Sequence, residues 1–253
     1  MKSPRTLLCH DPHRGWIALL LTLLWLAACG PAPAPVDSIA TATYYQNPAG
    51  LAQAWRQPVA ATYRDSFEYQ HNAAFCGPAT VINVFRSLGI DHSTQESLFD
   101  RAQVSYWKAR FLGLTLDELA EIIQANAPLK VTVLRDLTRE EFQRHLHRAN
   151  NPAFRYIINF NRQPLFGVNM GHHSPIGGYL SDADLVFVLD VLDRYRPFLA
   201  PAHRLYAAMN TVDAETGKKR GLLLIEVMPS ATTPGKIEAS APDSILRPTA
   251  ALP

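Results

Sequence analysis

The stretch CGPATVINVFRSLG, residues 76–89, carries the pattern on which the fold prediction depends. Pro78 falls in the first turn of a helix and Gly89 provides its stop, which are the positions that these residues favour at helix ends. Cys76 then lies at the helix N-terminus, where the aligned peptide dipoles and the unpaired backbone N–H groups favour a thiolate over a thiol. The stretch therefore predicts a helix that begins with a candidate nucleophile.

The chain after this helix alternates between helical and extended patterns. Two more helices are predicted at 115–125 and 138–148, the first with Thr115 as its cap and Glu118 completing a capping box. Extended runs are predicted at 155–160, 172–179, 184–191 and 221–227. Three of these runs are almost continuously apolar, so we expect central strands that helices cover. The predicted fold class is α+β, with the Cys76 helix packed on the sheet.

Composition limits the number of domains and the partners. The chain has 253 residues and a hydrophobic fraction of 47%. Without its two ends, roughly 190 residues remain, enough for one well-buried core. The formal net charge is +2, from 24 Lys and Arg against 22 Asp and Glu, and there is no long basic run to follow a phosphate backbone. We therefore expect one catalytic domain and no nucleic-acid partner.

The N-terminal residues have the features of an export signal. The apolar run at 16–25 is too short to span a bilayer comfortably and follows a basic segment, as in a signal-peptide core. LAACG at 26–30 resembles the lipobox of bacterial lipoproteins, in which the cysteine, here Cys29, is acylated and becomes the mature N-terminus. Gly30 stands where an Asp is associated with retention in the inner membrane, which favours the outer membrane. An ordinary secretory signal or an uncleaved anchor is the alternative.

These features divide the chain into four predicted segments. Residues 1–28 form a lipoprotein signal peptide, and 29–43 hold the lipidated cysteine and a stiff Pro/Ala linker. Residues 44–228 form the catalytic domain, and 229–253, rich in Pro, Ala, Ser and Thr, form a disordered tail. The predicted location is the bacterial cell envelope, with the domain lipid-anchored and facing the periplasm.

Only one of the three cysteines is expected to be a free thiol. The three cysteines, Cys9, Cys29 and Cys76, lie far apart without CxxC spacing, so no zinc site is predicted from them. Cys9 would leave with the signal peptide and Cys29 would carry lipid, which leaves Cys76 as the sole free thiol. A lone cysteine in an oxidising compartment needs an explanation, and catalysis is one. An inert buried cysteine is the other.

Candidate partners for the Cys76 thiol occur in two later segments. GHHSPIGGY at 171–179 places His172 at a strand start, and the next strand ends with Asp190 between two apolar residues. A carboxylate in such surroundings is costly unless it is paired, and an imidazole N–H is a natural partner. Cysteine, histidine and aspartate in this order match the roles in papain-like enzymes, where a glutamine at the place of Gln70 donates to the oxyanion. Taken alone, His172 is equally well explained as a hydrogen-bonded core histidine.

At these residues the sequence resembles the phytochelatin synthase family. QHNAAFCG at 70–77 is similar to the family's nucleophile segment, GH and SPIGGY at 171–172 and 174–179 to its histidine segment, and LDV at 189–191 to its aspartate segment. The resemblance covers about residues 44–227 and implies a papain-like cysteine protease fold with a mainly antiparallel sheet. It also implies that Arg162 and Arg220 engage substrate carboxylates, which suits the guanidinium fork. Exposed, solubilising arginines are the alternative.

Two features depart from the family pattern. His173 stands where the family commonly has an aromatic residue, so two histidines are adjacent; they should point to opposite faces of a strand, and the spacing selects His172 as the base. Plant members continue into a cysteine-rich C-terminal domain implicated in metal response, whereas the tail of this sequence has no cysteine. Compact bacterial relatives mainly hydrolyse glutathione to γ-glutamylcysteine and glycine.

The function that the resemblance implies is that of a glutathione γ-glutamylcysteinyltransferase. A γ-Glu-Cys acyl-enzyme forms on Cys76 with release of glycine, and water or a second glutathione then accepts the acyl group. The expected partners are glutathione or γ-glutamyl thiol peptides and, through the lipid, a membrane. No cofactor or metal is expected on the protein, and Cd or Zn would enter as a metal–glutathione substrate in heavy-metal detoxification or glutathione turnover. The sequence does not decide between a monomer and a homodimer.

Two other functions stay open at this point. One is a papain-like peptidase of the bacteriocin-leader type, which uses the same residue types in the same order. The other is a non-catalytic envelope lipoprotein that binds thiols or peptides on an inherited fold. Release of glycine from glutathione distinguishes the predicted enzyme from both.

Overall fold

The computed structural model describes residues 37–91 and 94–226. The predicted signal peptide, the predicted lipidation site Cys29 and the predicted tail at 229–253 lie outside these residues, and so does most of the predicted linker. Within the described part, no helix combines the length and the apolar character that crossing a bilayer requires.

The described chain contains eight α-helices and six strands. The helices are α1 (Pro48–Ala54), α2 (Pro58–Ala61), α3 (Cys76–Ser87), α4 (Tyr106–Leu112), α5 (Leu116–Asn126), α6 (Arg139–Arg148), α7 (Gln163–Phe166) and α8 (Ala202–Met209). Short 3-10 helices occur at Ile39–Thr41, Ser97–Asp100 and Ser181–Ala183. The strands are β1 (Lys130–Leu134), β2 (Phe154–Asn161), β3 (Gly171–Leu180), β4 (Leu185–Val188), β5 (Phe198–Pro201) and β6 (Leu222–Glu226).

The predicted capping box at the start of α5 is present. The Thr115 side chain accepts a hydrogen bond from the Glu118 N–H, and the Glu118 carboxylate accepts one from the Thr115 N–H at 2.9 Å. Such reciprocal bonds satisfy N–H groups that have no acceptor within the helix. Helix α6 begins with the same arrangement, formed by Thr138 and Glu141. Both helices therefore begin where the sequence predicts them.

The six strands form one sheet in the order β1-β6-β2-β3-β4-β5, and every neighbouring pair is antiparallel. This confirms the predicted α+β class with an antiparallel sheet and the nucleophile helix packed on it. One strand is shorter than predicted, because β4 ends at Val188 rather than at 191. The Leu189 N–H still bonds to the Pro175 carbonyl at 2.9 Å, after which the chain leaves the sheet and Asp190 lies beyond the strand.

Both faces of the sheet are buried, and alternate residues of β2 show how. Ile157 packs in a core with Phe85 of α3, whereas Ile158 packs in a second core with Leu205 of α8. Successive strand residues point to opposite faces, so two-sided burial requires the continuous apolar runs seen in the sequence. Each large apolar side chain buried in this way contributes about 1.5–3 kcal/mol.

Folded structure begins before the predicted domain boundary at residue 44. Ile39 is buried in the core that contains α8, and the Ser38 hydroxyl caps the short helix that Ile39 begins. Arg204 of α8 donates a hydrogen bond to the Asp37 carbonyl at 2.7 Å. The last residues of the segment predicted as a linker therefore pack on the domain.

Candidate active site

Helix α3 fixes the position of the thiol. Cys76 is its first residue, and Gly89, just past its end, has the positive φ of 70° that favours glycine. The helix is buried along almost its whole length, and only 8% of Cys76 is exposed. The Thr80 hydroxyl donates to the carbonyl of His173 at 3.1 Å, which ties the first turns of α3 to the start of β3. The thiol is therefore held on a rigid element beside the paired histidines.

The predicted base and its orienting carboxylate lie together. His172 Nε2 is 3.0 Å from Asp190 Oδ1, and both side chains are buried. The ring N–H does not point straight at the oxygen, a loose alignment that is common before substrate binds. Because Nε2 faces Asp190, Nδ1 is the ring nitrogen that can exchange a proton with Cys76. The Leu192 N–H donates to the same carboxylate oxygen at 2.9 Å and holds it in place.

Charges within this group shift all three pKa values. Burial opposes ionisation of the Cys76 thiol, but the charge of His172 and hydrogen bonds from both histidines hold the pKa of the thiol well below its usual value. Burial also disfavours the imidazolium, yet the Asp190 carboxylate raises the pKa of His172. Despite its own burial, the pKa of Asp190 is lowered by His172 and Arg162. The surroundings therefore favour a thiolate–imidazolium pair.

Arg162 occupies a different place from the one predicted. Its side chain is completely buried, and Nη2 lies 3.0 and 2.7 Å from the two oxygens of Asp190. The guanidinium also lies 3.8 Å from the centre of the Tyr195 ring. The prediction that Arg162 engages a substrate carboxylate is therefore corrected, because a sealed guanidinium that already binds Asp190 cannot reach a ligand in solvent. Its position suits it to holding the orienting carboxylate ionised.

Arg220 lies in the wall of the cleft above the thiol. Its Nη1 donates to Asn159 Oδ1 at 2.7 Å and to Asp213 Oδ2 at 3.1 Å, and Nε has no partner. A Cβ atom on Gly171 would come within 2.7 Å of this guanidinium, so glycine lets the arginine lie against the β3 backbone. Burial lowers the pKa of Arg220 from its usual value, an effect that Asp213 opposes.

His173 also lies next to the thiol. Its Nδ1 is 3.9 Å from Cys76 Sγ, and its Nε2 contacts the amide nitrogen of Asn159. In the sheet register His173 pairs with Asn159, and His172 pairs with Phe160, whose ring it contacts. The adjacent histidines thus follow opposite faces of β3, as expected. Both histidines nevertheless interact with Cys76, so a second histidine lies beside the thiol in addition to the predicted base.

Gln70 lies in a loop that is fastened on two sides. Its backbone N–H donates to the Val191 carbonyl at 2.8 Å, which joins the loop to the segment that carries Asp190. Its side-chain Nε2 donates to the Asn72 carbonyl at 2.7 Å, within the loop itself. An amide nitrogen has two N–H groups, so one remains for the oxyanion role, which stays a prediction.

A cleft of about 720 Å³ opens at this group of residues, within the usual range for small-molecule sites. Eight polar or ionisable residues line it: Asn72, Cys76, Arg110, His172, His173, Asp213, Glu215 and Arg220. Phe111, 70% exposed, and Leu112, 75% exposed, lie on its rim. Within residues 37–91 and 94–226, no three His, Cys, Asp or Glu side chains come together as a metal site would require.

Several residues of this site were not predicted from the sequence, among them Asn159 and Arg110. Asn159 is a buried amide within the run YIINF at 156–160, and an unexplained polar residue in a central strand was a usable signal. Arg110 comes from α4, far from every motif, and nothing in the local sequence connects it with Cys76. Only the tertiary fold places it at the cleft.

The sequence is similar to those of known proteins. The family model for phytochelatin synthase matches residues 44–222. A glutathione gamma-glutamylcysteinyltransferase 1 from Triticum aestivum is 32% identical over 177 residues, which cover 65% of this chain and 35% of that protein. A glutathione gamma-glutamylcysteinyltransferase 3 from Lotus japonicus is 29% identical over 177 residues, covering 65% and 37%. The chain thus spans about a third of the length of these relatives.

A solved structure with similarity to the chain is the peptidase domain of Streptococcus ComA. It is 13% identical, covers 64% of this chain and 97% of that domain, and has a TM-score of 0.44. The family match is the stronger finding, because it spans the helix with Cys76, the strand with His172 and the segment with Asp190. The chain belongs to the phytochelatin synthase family.

Proposed function

We propose that this protein is a cysteine-dependent acyltransferase that takes the γ-glutamylcysteinyl group from glutathione and releases glycine. The observation that carries the proposal is the buried Cys76 thiol at a helix N-terminus. It interacts with His172, which pairs with Asp190, and it lines a cleft with a guanidinium in its wall. The names of the plant relatives support the choice of glutathione.

Acylation begins with attack of the Cys76 thiolate on the carbonyl carbon of the Cys–Gly bond. The C–N bond breaks, the His172 imidazolium gives its proton to the leaving nitrogen, and glycine departs. A thioester between Cys76 and γ-glutamylcysteine remains. Asp190 keeps the imidazole oriented throughout, and Arg162, buried behind it, keeps that carboxylate ionised.

Charge that develops on the carbonyl oxygen needs donors. The backbone N–H of Cys76 belongs to the first turn of α3, where N–H groups have no acceptor within the helix. The free N–H of the Gln70 amide is the second proposed donor. Arg220 is placed to bind a carboxylate of the substrate, which would orient the peptide relative to the thiolate.

Deacylation completes the cycle. Neutral His172 takes a proton from water or from the amine of a second glutathione, and the nucleophile breaks the thioester and restores the Cys76 thiolate. Water gives γ-glutamylcysteine, and a second glutathione gives a phytochelatin. Cadmium or zinc enters this scheme as a thiolate complex of the substrate peptide, and heavy-metal detoxification or glutathione turnover is the proposed role.

The proposed setting is the bacterial cell envelope. It rests on the LAACG motif at 26–30 and on the Pro/Ala-rich residues after it. Acylation of Cys29 would anchor the domain on the periplasmic side of a membrane. Growth with a radiolabelled fatty acid, for wild type and Cys29→Ala, tests this, and label retained by the variant contradicts it.

The decisive experiment is incubation of the purified protein with glutathione, with and without cadmium, followed by mass analysis of the products. We expect glycine together with γ-glutamylcysteine or phytochelatin from wild type, and neither from Cys76→Ala with an unchanged melting temperature. Cleavage of a peptide after a double glycine without turnover of glutathione would instead indicate a leader peptidase. Binding of glutathione without glycine release would indicate a non-catalytic protein.

A further inference from the structure

One buried side chain beside the Cys76 thiol has no role in the acylation and deacylation steps. His173 is only 3% exposed, and its Nδ1 lies 3.9 Å from Cys76 Sγ. Its neighbour His172 already faces Asp190 and serves as the proposed base. The protonation state of His173 decides what it can do for the thiol, because a ring nitrogen either donates or accepts a hydrogen bond.

The hydrogen-bond chain behind the ring determines that state. Arg220 Nη1 contacts the side-chain oxygen of Asn159 at 2.7 Å, and a guanidinium has only donors, so the Asn159 amide must present its oxygen to Arg220. The amide nitrogen, also a donor only, then faces His173 Nε2. That ring nitrogen must accept, so it carries no hydrogen. The single proton of a neutral ring therefore lies on Nδ1, the atom that faces the thiol.

We propose that His173 is a fixed, neutral hydrogen-bond donor to the Cys76 thiolate, with its tautomer set by Asn159 and Arg220. It cannot take the proton of the thiol, because the nitrogen that faces the sulfur already carries one. The base must therefore be His172, whose Nε2 faces a carboxylate and whose Nδ1 is available. In this arrangement His173 contacts the reacting sulfur, and Asn159 and Arg220 are positioning residues that act through it.

Two further contacts hold the His173 ring in this position. The Thr80 hydroxyl also bonds to the His173 carbonyl, so the ring is carried by backbone that is tied to the helix of the nucleophile. Strand register adds a further constraint, because Asn159 and His173 are cross-strand partners on the same face.

The first test measures the pKa of the Cys76 thiol from the pH dependence of alkylation by iodoacetamide. Mass analysis of the peptide that contains Cys76 is needed, because Cys9 and Cys29 of the full chain are further cysteines that iodoacetamide can alkylate. His173→Phe keeps a ring and removes the donor, and we expect its thiol pKa to rise by about one unit, with alkylation about tenfold slower at acidic pH. His173→Asn keeps an N–H near the position of Nδ1 and should shift the pKa much less.

The matched control is His203→Phe, because His203 is an exposed histidine on α8 away from the cleft. It should leave the thiol pKa at the wild-type value. A His173→Phe protein with the wild-type thiol pKa, or equal shifts in the Phe and Asn variants, would overturn the proposal.

The second test needs no variant and so remains decisive if His173→Phe fails to fold. Nitrogen NMR of the ¹⁵N-histidine-labelled full chain reports which ring nitrogen of His173 carries hydrogen. We expect a protonated Nδ1 and an unprotonated Nε2, and the opposite tautomer would refute the proposal. The inference deepens the proposed function, since it concerns the same nucleophile, but neither test uses glutathione. Failure of this inference and failure of the proposed substrate are therefore distinguishable.

Discussion

Each of the two adjacent histidines contacts a second side chain that in turn contacts an arginine, and the two series of contacts differ in one chemical group. Behind His172 comes a carboxylate, Asp190, and then Arg162. Behind His173 comes an amide, Asn159, and then Arg220. The carboxylate accepts from its histidine and favours the imidazolium, whereas the amide donates and excludes it. Two identical side chains on one strand thereby obtain different protonation states, one suited to moving a proton and one to holding a thiolate.

The second difference between the two sets is burial. Arg162 is sealed from solvent, whereas Arg220 lies in the cleft wall. An ion pair without access to solvent serves the positioning of Asp190, and a guanidinium at a cleft is available to a ligand. The following experiments separate these roles, beginning with the largest expected effect.

Replacing the proposed base should have the largest effect on activity. His172→Gln removes the group that exchanges protons with thiol and leaving group, so kcat/KM for glycine release should fall by about 10⁴-fold. His203→Gln is the control and should retain the wild-type rate. If His172→Gln kept most of the activity, the roles of the two histidines would have to be exchanged.

Replacing Arg162 should affect stability more than substrate affinity. Arg162→Leu leaves Asp190 buried without its guanidinium, which should lower the free energy of unfolding by about 3–5 kcal/mol. Urea denaturation measures this change. In the folded fraction of the Arg162→Leu protein, kcat should fall while KM for glutathione stays close to that of wild type. A large rise in KM with unchanged stability would restore the original prediction of a substrate contact.

Replacing Arg220 should affect substrate affinity more than stability. If Arg220 binds a substrate carboxylate as proposed, Arg220→Leu removes a charge-assisted hydrogen bond, and KM for glutathione should rise by about 10- to 100-fold. Lys218→Leu is a suitable control, because Lys218 is an exposed cation nearby in sequence that pairs with Asp117. An Arg220→Leu enzyme with unchanged KM would show that this guanidinium serves only to position Asn159.

The pH profile should show the thiolate–imidazolium pair. The pKa of Cys76 is lowered from its usual value and that of His172 is raised, so both groups carry charge between these two values. We expect kcat/KM to rise well below pH 8.5, where a free thiol titrates, and to fall above pH 6.5, the usual value of histidine. A single rise near pH 8.5 would mean that no ion pair forms.

Stability should follow the sign of each shift. The lowered pKa of Asp190 means that its contribution is present above the unfolded carboxyl pKa of about 3.9 and is lost as the pH falls through the folded value. The raised pKa of His172 means that its contribution is complete below about pH 6.5 and is lost as the pH rises through the folded value. The pH dependence of the urea midpoint, compared between wild type and Asp190→Asn, measures the contribution of Asp190 that is lost at acid pH.

The sequence was most informative where local rules act alone. The start of α3 at Cys76, the capping box of α5, the start of α6 and the apolar central strands follow from propensity and pattern, and all of them are present in the structure. The order of cysteine, histidine and aspartate along the chain also indicated the candidate catalytic residues. These features depend on a few neighbouring residues, so no tertiary knowledge was needed.

The contacts of the arginines and of His173 were beyond the reach of sequence. Whether an arginine contacts a ligand or a buried carboxylate depends on the direction in which its side chain points. Arg162 comes directly after β2, and its side chain lies in the protein interior. Alternation along β3 gave opposite faces for the two histidines, but it could not show that Cys76 sits where both faces are within reach. Only the packing of α3 against β3 reveals that.

Trapping the acyl-enzyme tests the central claim most directly. The protein is mixed with glutathione, quenched with acid within the first turnover, and digested, and the peptide that contains Cys76 is weighed. The account predicts a mass increase of one γ-glutamylcysteinyl group on that peptide, with an equal amount of glycine released, and neither in Cys76→Ala. Glycine release without modification of Cys76, or modification of another residue, would contradict it.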